Sequence, residues 1–250
     1  MYKPYNLRSH NRPNIIRSNY KEEIIMAYKG SDKIAILFRG PIRPDVDTCI
    51  FNLNKLKESF IGYNITTFVV AWENESSIEF QKRNIADHCL LLPMPTEEQI
   101  ALDLKLDTSN DLHMKRFLVF GRNMYRQFIS THALLNLMNS KENYDWAVIT
   151  RLDIKIKINP SLYKNDNAYT AADVQKFPIN DQFGIGRPSI VQKAWDYENM
   201  DNMANLIKTN GNPEEVLQMQ MKQREVTYKD ANVIEYVLDA KRHNGFSGQE

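Results

Sequence analysis

Cysteine is scarce in this 250-residue sequence, long apolar runs are missing, and net charge is almost absent. Cys49 and Cys89 are the only cysteines, each set in an apolar stretch. With no C-x-x-C pair or Cys/His cluster, a thiolate zinc site is excluded, and two buried thiols in a reducing compartment is the reading that stands. No apolar run approaches the ~18–20 residues that span a bilayer, and the N-terminus shows no apolar signal core. No integral membrane segment is expected, and the location expected is the cytoplasm. Basic and acidic residues number 32 and 31, a formal charge of +1. That balance argues against a protein built to hold nucleic acid or an anionic membrane. Neither G-x-G-x-x-G nor G-x-x-x-x-G-K-[ST] is present, so a dinucleotide fingerprint, a P-loop and a methyltransferase-type glycine loop all lack support.

What the chain does have is patterning. A hydrophobic fraction of 42% over this length buries a sizeable core without staples. Residues 1–30 carry Lys3, Arg8, Arg12, Arg17 and Lys21 ahead of the first acid, Glu22, and read as a basic, flexible or loosely docked arm. Apolar runs at 34–38, 66–72, 89–92 and 145–150 read as buried strands, with helices from Asp45 or Asp47 to about 60, near 76–84 and over 122–139. Alternating strands and helices with short connections predict an α/β fold, a mostly parallel, doubly wound sheet flanked by helices. Ile154, Ile156 and Ile158 alternate with Lys155 and Lys157, the period of a strand exposed on one side. A short strand is expected near 168–171, then helices near 188–208, 213–224 and 231–241. The stretch 93–120, broken by Pro93 and Pro95, is long for a plain connection and suits a segment over a site. The division expected is 1–30 arm, 31–210 main domain, and 211–250 helical extension packed on that domain.

Ligands of an open parallel sheet bind beyond the carboxyl ends of its strands. That rule selects Arg39, Gly40 and Arg43 after the first strand, Trp72 and Glu73 after the second, and Arg151 to Asp153 after the fourth. Arginine suits bidentate capture of phosphate, although Arg39 and Arg43 also fit a surface turn. Asp153 at a buried strand end suits Mg²⁺ or Mn²⁺ bridging to phosphates of a departing diphosphate. The same carboxylate equally fits a pair with Arg151 or Lys155. Asp181, in Asn180-Asp181-Gln182 ahead of a Gly-x-Gly, is placed to act as a base on a hydroxyl, or to make an Asx turn. His243 reads as an exposed residue or as a ligand or phosphate contact folding back. His88, His113 and His132 share no metal spacing.

Taken in order, four blocks resemble the WavE-type lipopolysaccharide-synthesis glycosyltransferases. They are Ile36-Leu37-Phe38-Arg39-Gly40-Pro41-Ile42, then Asn123-Met124-Tyr125-Arg126-Gln127-Phe128-Ile129-Ser130-Thr131. Next come Tyr144-Asp145-Trp146 with Thr150-Arg151-Leu152-Asp153, and finally Asn180-Asp181-Gln182-Phe183 with Ile185-Gly186. The likeness spans about residues 33–200. It implies a GT-A type, Rossmann-like fold, a nucleotide-diphosphate sugar donor, a glycan or other hydroxyl acceptor, and a divalent metal. By that resemblance Asp153 stands where a D-x-D signature binds metal, but position 151 is Arg, which itself supplies positive charge. Asn123, Gln127 and Ser130 fall on one helical stripe suited to lining a donor pocket, with Arg126 beside them. If Asp181 is the base, displacement with inversion follows. The competing class is a GT-A-shaped binding or accessory protein without catalysis, kept open by the incomplete D-x-D. A nucleic-acid partner would rest on the arm alone and is not expected.

Overall fold

The computed structural model describes residues 32–107, 109, 121–163, 167–170, 180–197, 201, 204–205 and 213–238. The basic arm, His243 and residues 110–120 of the long connection lie outside them. Among the described residues, seven strands form one sheet in the order β3-β2-β1-β4-β7-β6-β8. They are β1 (Lys33–Arg39), β2 (Asn64–Trp72), β3 (His88–Leu92), β4 (Trp146–Arg151), β6 (Ala168–Thr170), β7 (Gly184–Gly186) and β8 (Tyr228–Asp230). β1 to β4 are parallel, and β7 alone runs against its neighbours β4 and β6. This is an α/β, Rossmann-like, mostly parallel sheet. A separate antiparallel pair joins β5 (Ile154–Lys157) to β9 (Glu235–Leu238).

The central strands are apolar on both faces because both are covered. Ala35 and Leu37 of β1, Phe68 and Val70 of β2, and Ala147 and Ile149 of β4 enter one core. The long helix α4 (Arg122–Asn139), α5 (Pro188–Trp195) and α6 (Pro213–Gln223) pack there through Met124, Phe128, Leu135, Trp195 and Leu217. Ile34, Ile36 and Phe38 face the opposite way with Val69, Ala71 and Val148. Helix α1 (Val46–Glu58) covers that side through Cys49, Leu53 and Leu56, α2 (Glu75–Lys82) through Phe80, and β5 through Ile154 and Ile156.

Local chemistry sets the helix starts. The Asp45 carboxylate accepts from the Thr48 amide at 2.7 Å, capping α1. Asn74 and Ser77 cap one another's backbone amides at the head of α2. Thr96 caps α3 (Glu97–Asp103) by accepting from the Gln99 amide at 3.2 Å. Gly184 has its own reason: a Cβ there would meet the buried Trp195 ring at 2.2 Å. The Gly-x-Gly after the Asn180-Asp181-Gln182 triplet is strand β7, and Gly184 makes room for a tryptophan.

Two further expectations are corrected. The helix expected over 231–241 is replaced by β9, in which Glu235 to Leu238 pair with β5. Residues 231–241 carry apolar side chains at helical spacing, but pairing with the open edge of β5 overrides that local preference. The helix expected over 188–208 is interrupted after Trp195, where Asp196 and Tyr197 leave the helical path; residues 201, 204 and 205 are helical again.

Candidate functional site

Register builds the site. At the amino edge, the Lys33 amide donates to the Asp145 carboxylate at 2.8 Å, and the Asp145 amide donates to the Lys33 carbonyl at 2.8 Å. That clamp sets β1 against β4 so that Arg39 and Arg151 fall opposite one another at the carboxyl edge. Gly40 follows with φ of +98°, a conformation that side chains resist, and the chain turns off the sheet. The next strand over ends at Trp72.

A cavity of about 350 Å³ opens above these strand ends. It brings together Arg39, Gly40, Arg43, Trp72, Asn123, Arg126, Gln127 and Arg151, which the sequence placed at the donor and its phosphates; His243, a further phosphate candidate, lies outside the described residues. Ser130 of the same helical stripe joins them. Sequence reasoning missed Asn74 and Met94, which also line it. Asn74 carried a signal as a helix cap after a strand, whereas Met94 had none beyond its place in the long connection.

Asp153 and Asp181 lie beneath this lining, not in it. Asp153 is 2% exposed. Arg151 reaches it through two bonds, Nε to Oδ1 at 3.0 Å and Nη2 to Oδ2 at 2.8 Å, and Arg43 Nε adds a third to Oδ2 at 2.9 Å. The Leu152 carbonyl between them accepts from buried Asn52 of α1 at 2.9 Å, which pins the turn. Burial pulls the Arg151 guanidinium below its ordinary pKa; Asp153 opposes this, while Arg43 and Arg39 add to it.

Asp181 is 3% exposed. Gln127 donates to its carboxylate, Arg39 Nη2 donates to its backbone carbonyl, and the Arg39 guanidinium lies 3.7 Å from Oδ2. Its neighbours form the Asx turn that was the alternative for this triplet, with the Gln182 amide donating to Asn180 Oδ1 at 2.8 Å. Tyr236 of β9 locks that turn: its hydroxyl accepts from Asn180 Nδ2 at 3.1 Å and donates to Gln182 Oε1 at 2.9 Å. Burial pushes the Tyr236 phenol up to about 12, so it stays protonated and able to donate. Nothing in the sequence marked this tyrosine.

Two arginine nitrogens are left over. Arg39 Nε and Arg126 Nε are buried with no hydrogen-bond partner among the described residues. Such orphan donors are costly unless something meets them.

These residues do not fit the divalent cation that the sequence reading placed on Asp153. Mg²⁺ and Mn²⁺ need several oxygen ligands around them, and both Asp153 oxygens are already engaged by guanidiniums. Among the described residues no group of three or more His, Cys, Asp or Glu could complete such a set. Four guanidiniums around the cavity would also repel the ion. His243, the other residue considered for a metal, lies outside the described residues.

No protein-family model matches the chain, and no curated protein matches it. Among solved structures, it is similar to the galactosyltransferase LgtC in complex with donor and acceptor sugar analogs. Identity there is 12% over 78% of this chain and 72% of that one, with a TM-score of 0.44. It is also similar to the glycosyltransferase GlyE of Streptococcus pneumoniae TIGR4, at 7% identity over 80% of this chain and 45% of that one, TM-score 0.42. A third is mouse xyloside xylosyltransferase 1 in its apo form, at 10% identity over 80% and 84% of the two chains, TM-score 0.39. Among the described residues, no helix is long and apolar enough to cross a membrane.

Proposed function

We propose that this chain is a glycosyltransferase that takes a sugar from a nucleotide-diphosphate donor and passes it to a hydroxyl of a glycan or other acceptor. One observation carries the reading. At the carboxyl edge of a parallel sheet, a cavity of about 350 Å³ combines four arginines with a tryptophan and two helix amides, Asn123 and Gln127. Phosphate oxygens match the planar, forked donors of arginine. Trp72 and Met94 offer an apolar wall for a base, and Asn123 and Gln127 offer polar atoms for hydroxyls. In the reaction, the bond from the anomeric carbon to the diphosphate oxygen breaks and the acceptor oxygen takes its place. A nucleoside diphosphate and a proton are released.

The roles within the site follow from burial. Arg39, Arg43, Arg126 and Arg151 hold the diphosphate. Asp181 acts as a positioning residue that aims Arg39 and Gln127; its carboxylate, buried under the cavity lining, lacks the reach that a base on an incoming hydroxyl needs. Asp153 aims Arg43 and Arg151 in the same way. The donor-binding unit is assigned to residues 31–210; of the segment that follows, β9 pairs with β5. By the WavE-type resemblance, the setting is polysaccharide assembly.

The test is a thermal-shift screen of nucleoside diphosphates and nucleotide-sugars with the full chain. A donor at a hundred times its Kd adds about 2.7 kcal/mol, a rise of roughly 5–10 °C for a chain this size. Release of nucleoside diphosphate in the presence of acceptor then separates a transferase from a binding protein. If no nucleotide or nucleotide-sugar shifts the melting temperature, the reading is lost.

A further inference from the structure

The cavity lining carries an excess of positive charge that its own carboxylates do not cancel. Four guanidiniums line the space, from Arg39, Arg43, Arg126 and Arg151. Two carboxylates stand behind them, Asp153 and Asp181, which leaves two positive charges facing the cavity. Two of the guanidiniums also keep buried Nε donors without partners among the described residues. Arg126 makes no ion pair among the described residues, and burial followed by repulsion from Arg122 lowers its pKa against the pull of Glu97. A site of this kind is unfinished until an anion with several oxygens enters it.

We propose that Arg39, Arg43, Arg126 and Arg151 take the place of a divalent cation, so that the donor's diphosphate is bound and its departure assisted without metal. This rests on the glycosyltransferase reading above and sharpens it. The arrangement supplies what a cation would supply, in a different form. When the anomeric carbon–oxygen bond breaks, the electron pair stays on the terminal phosphate oxygen, and the charge gathering there meets guanidiniums already in place. The acceptor oxygen forms the new bond to carbon and gives its proton to water, so atoms and charge balance with no further reactant.

The geometry explains why Asp153 survives at a position where a metal ligand was expected. With Nε and Nη2 of Arg151 and Nε of Arg43 on one carboxylate, the acid holds two long side chains at fixed angles. Asp181 does the corresponding work for Arg39 through its carbonyl and carboxylate. A preset fork loses less freedom on meeting phosphate than a loose one.

The experiment is calorimetric titration of the full chain with inorganic pyrophosphate and with UDP, GDP, ADP and CDP. Each is run in EDTA and again with Mg²⁺ or Mn²⁺. At least one of these diphosphates is expected to bind as tightly in EDTA as with cation, and to weaken steeply as salt is raised. Arg126→Gln, changing a half-buried side chain without an acidic partner to lose, should weaken that binding about tenfold to a hundredfold at unchanged melting temperature. Arg43→Gln gives a second, half-exposed variant should the first fail to fold. Binding that appears only when cation is present overturns the proposal and leaves the donor reading standing. Binding of none of the probes under either condition overturns both.

Discussion

Replacing Asp153 with asparagine keeps the shape of the side chain and removes its charge. In the native site that charge faces two guanidiniums of unequal exposure, Arg151 at 12% and Arg43 at 45%. The two pairs therefore differ in worth. Breaking a buried pair leaves an uncompensated charge and costs about 3–5 kcal/mol; the lower end applies here, because the new amide oxygen still accepts one bond from Arg151. The pair to half-exposed Arg43 is screened by water and is worth less than about 1 kcal/mol. A loss of about 3 kcal/mol in a chain of this length lowers the melting temperature by roughly 6–12 °C. Asp153→Asn should show that drop, and Arg43→Met only a small one. Adding Arg151→Met to Asp153→Asn should lose less than the sum of the two single changes, since the stranded charge is then gone. Denaturant and thermal unfolding of the single and double variants in EDTA, with the native chain also measured without it, read all of this. If Asp153→Asn is no less stable than Arg43→Met, Asp153 does not hold Arg151 and the account of the site fails. If chelator alone destabilises the native chain by a similar amount, Asp153 is a metal ligand after all.

Two further outcomes are expected. Gly184→Ala places a methyl 2.2 Å from the fully buried Trp195 ring, so the strand or the ring must shift, at a cost of about 1–3 kcal/mol readable by thermal unfolding; an unchanged melting temperature would contradict the packing of α5 on β7. Burial raises the thiol pKa of Cys49 to about 12 and of Cys89 to about 11, against about 8.5 for a free thiol. Raised acids stabilise the fold fully below the free value, and that contribution is lost as pH climbs through the folded values. The melting temperature should therefore fall above pH 9, and a thiol reagent at pH 8 should label Cys49 only once denaturant is added. Prompt labelling of Cys49 in the native chain would refute this.

Much of the architecture was legible because its causes are local. Ile34 to Phe38 and Phe68 to Trp72 are apolar on both faces, a pattern that belongs to strands covered on each side, and Asp45 and Asn74 are caps placed just before apolar periodicity. The carboxyl-edge rule then chose Arg39, Arg43, Trp72 and Arg151 without sight of the structure. What could not be read were elements whose reason for existing is elsewhere in the chain. Glu235 to Leu238 look helical alone and become β9 because β5 offers an open edge. Gly184 looks like a turn glycine and is a hole cut for Trp195, eleven residues on.

The same distinction decides what Asp153 and Asp181 are. A sequence shows that a carboxylate sits at a strand end or beside a Gly-x-Gly, but a carboxylate's role depends on what its oxygens already hold. Here register brings Arg151 opposite Arg39, the Asn52 bond to the Leu152 carbonyl fixes the turn, and the acids become anchors for cations instead of ligands for one. At the other acid, Tyr236 reaches back from a strand 54 residues beyond Gln182 to hold Asn180 and Gln182 around Asp181. Each carboxylate is thus consumed in aiming arginine, and the charge the site presents outward is that of guanidinium. Under the proposal made above, an anion with two phosphates is the ligand that this charge suits, and Asn123 and Gln127 of α4 line the same cavity.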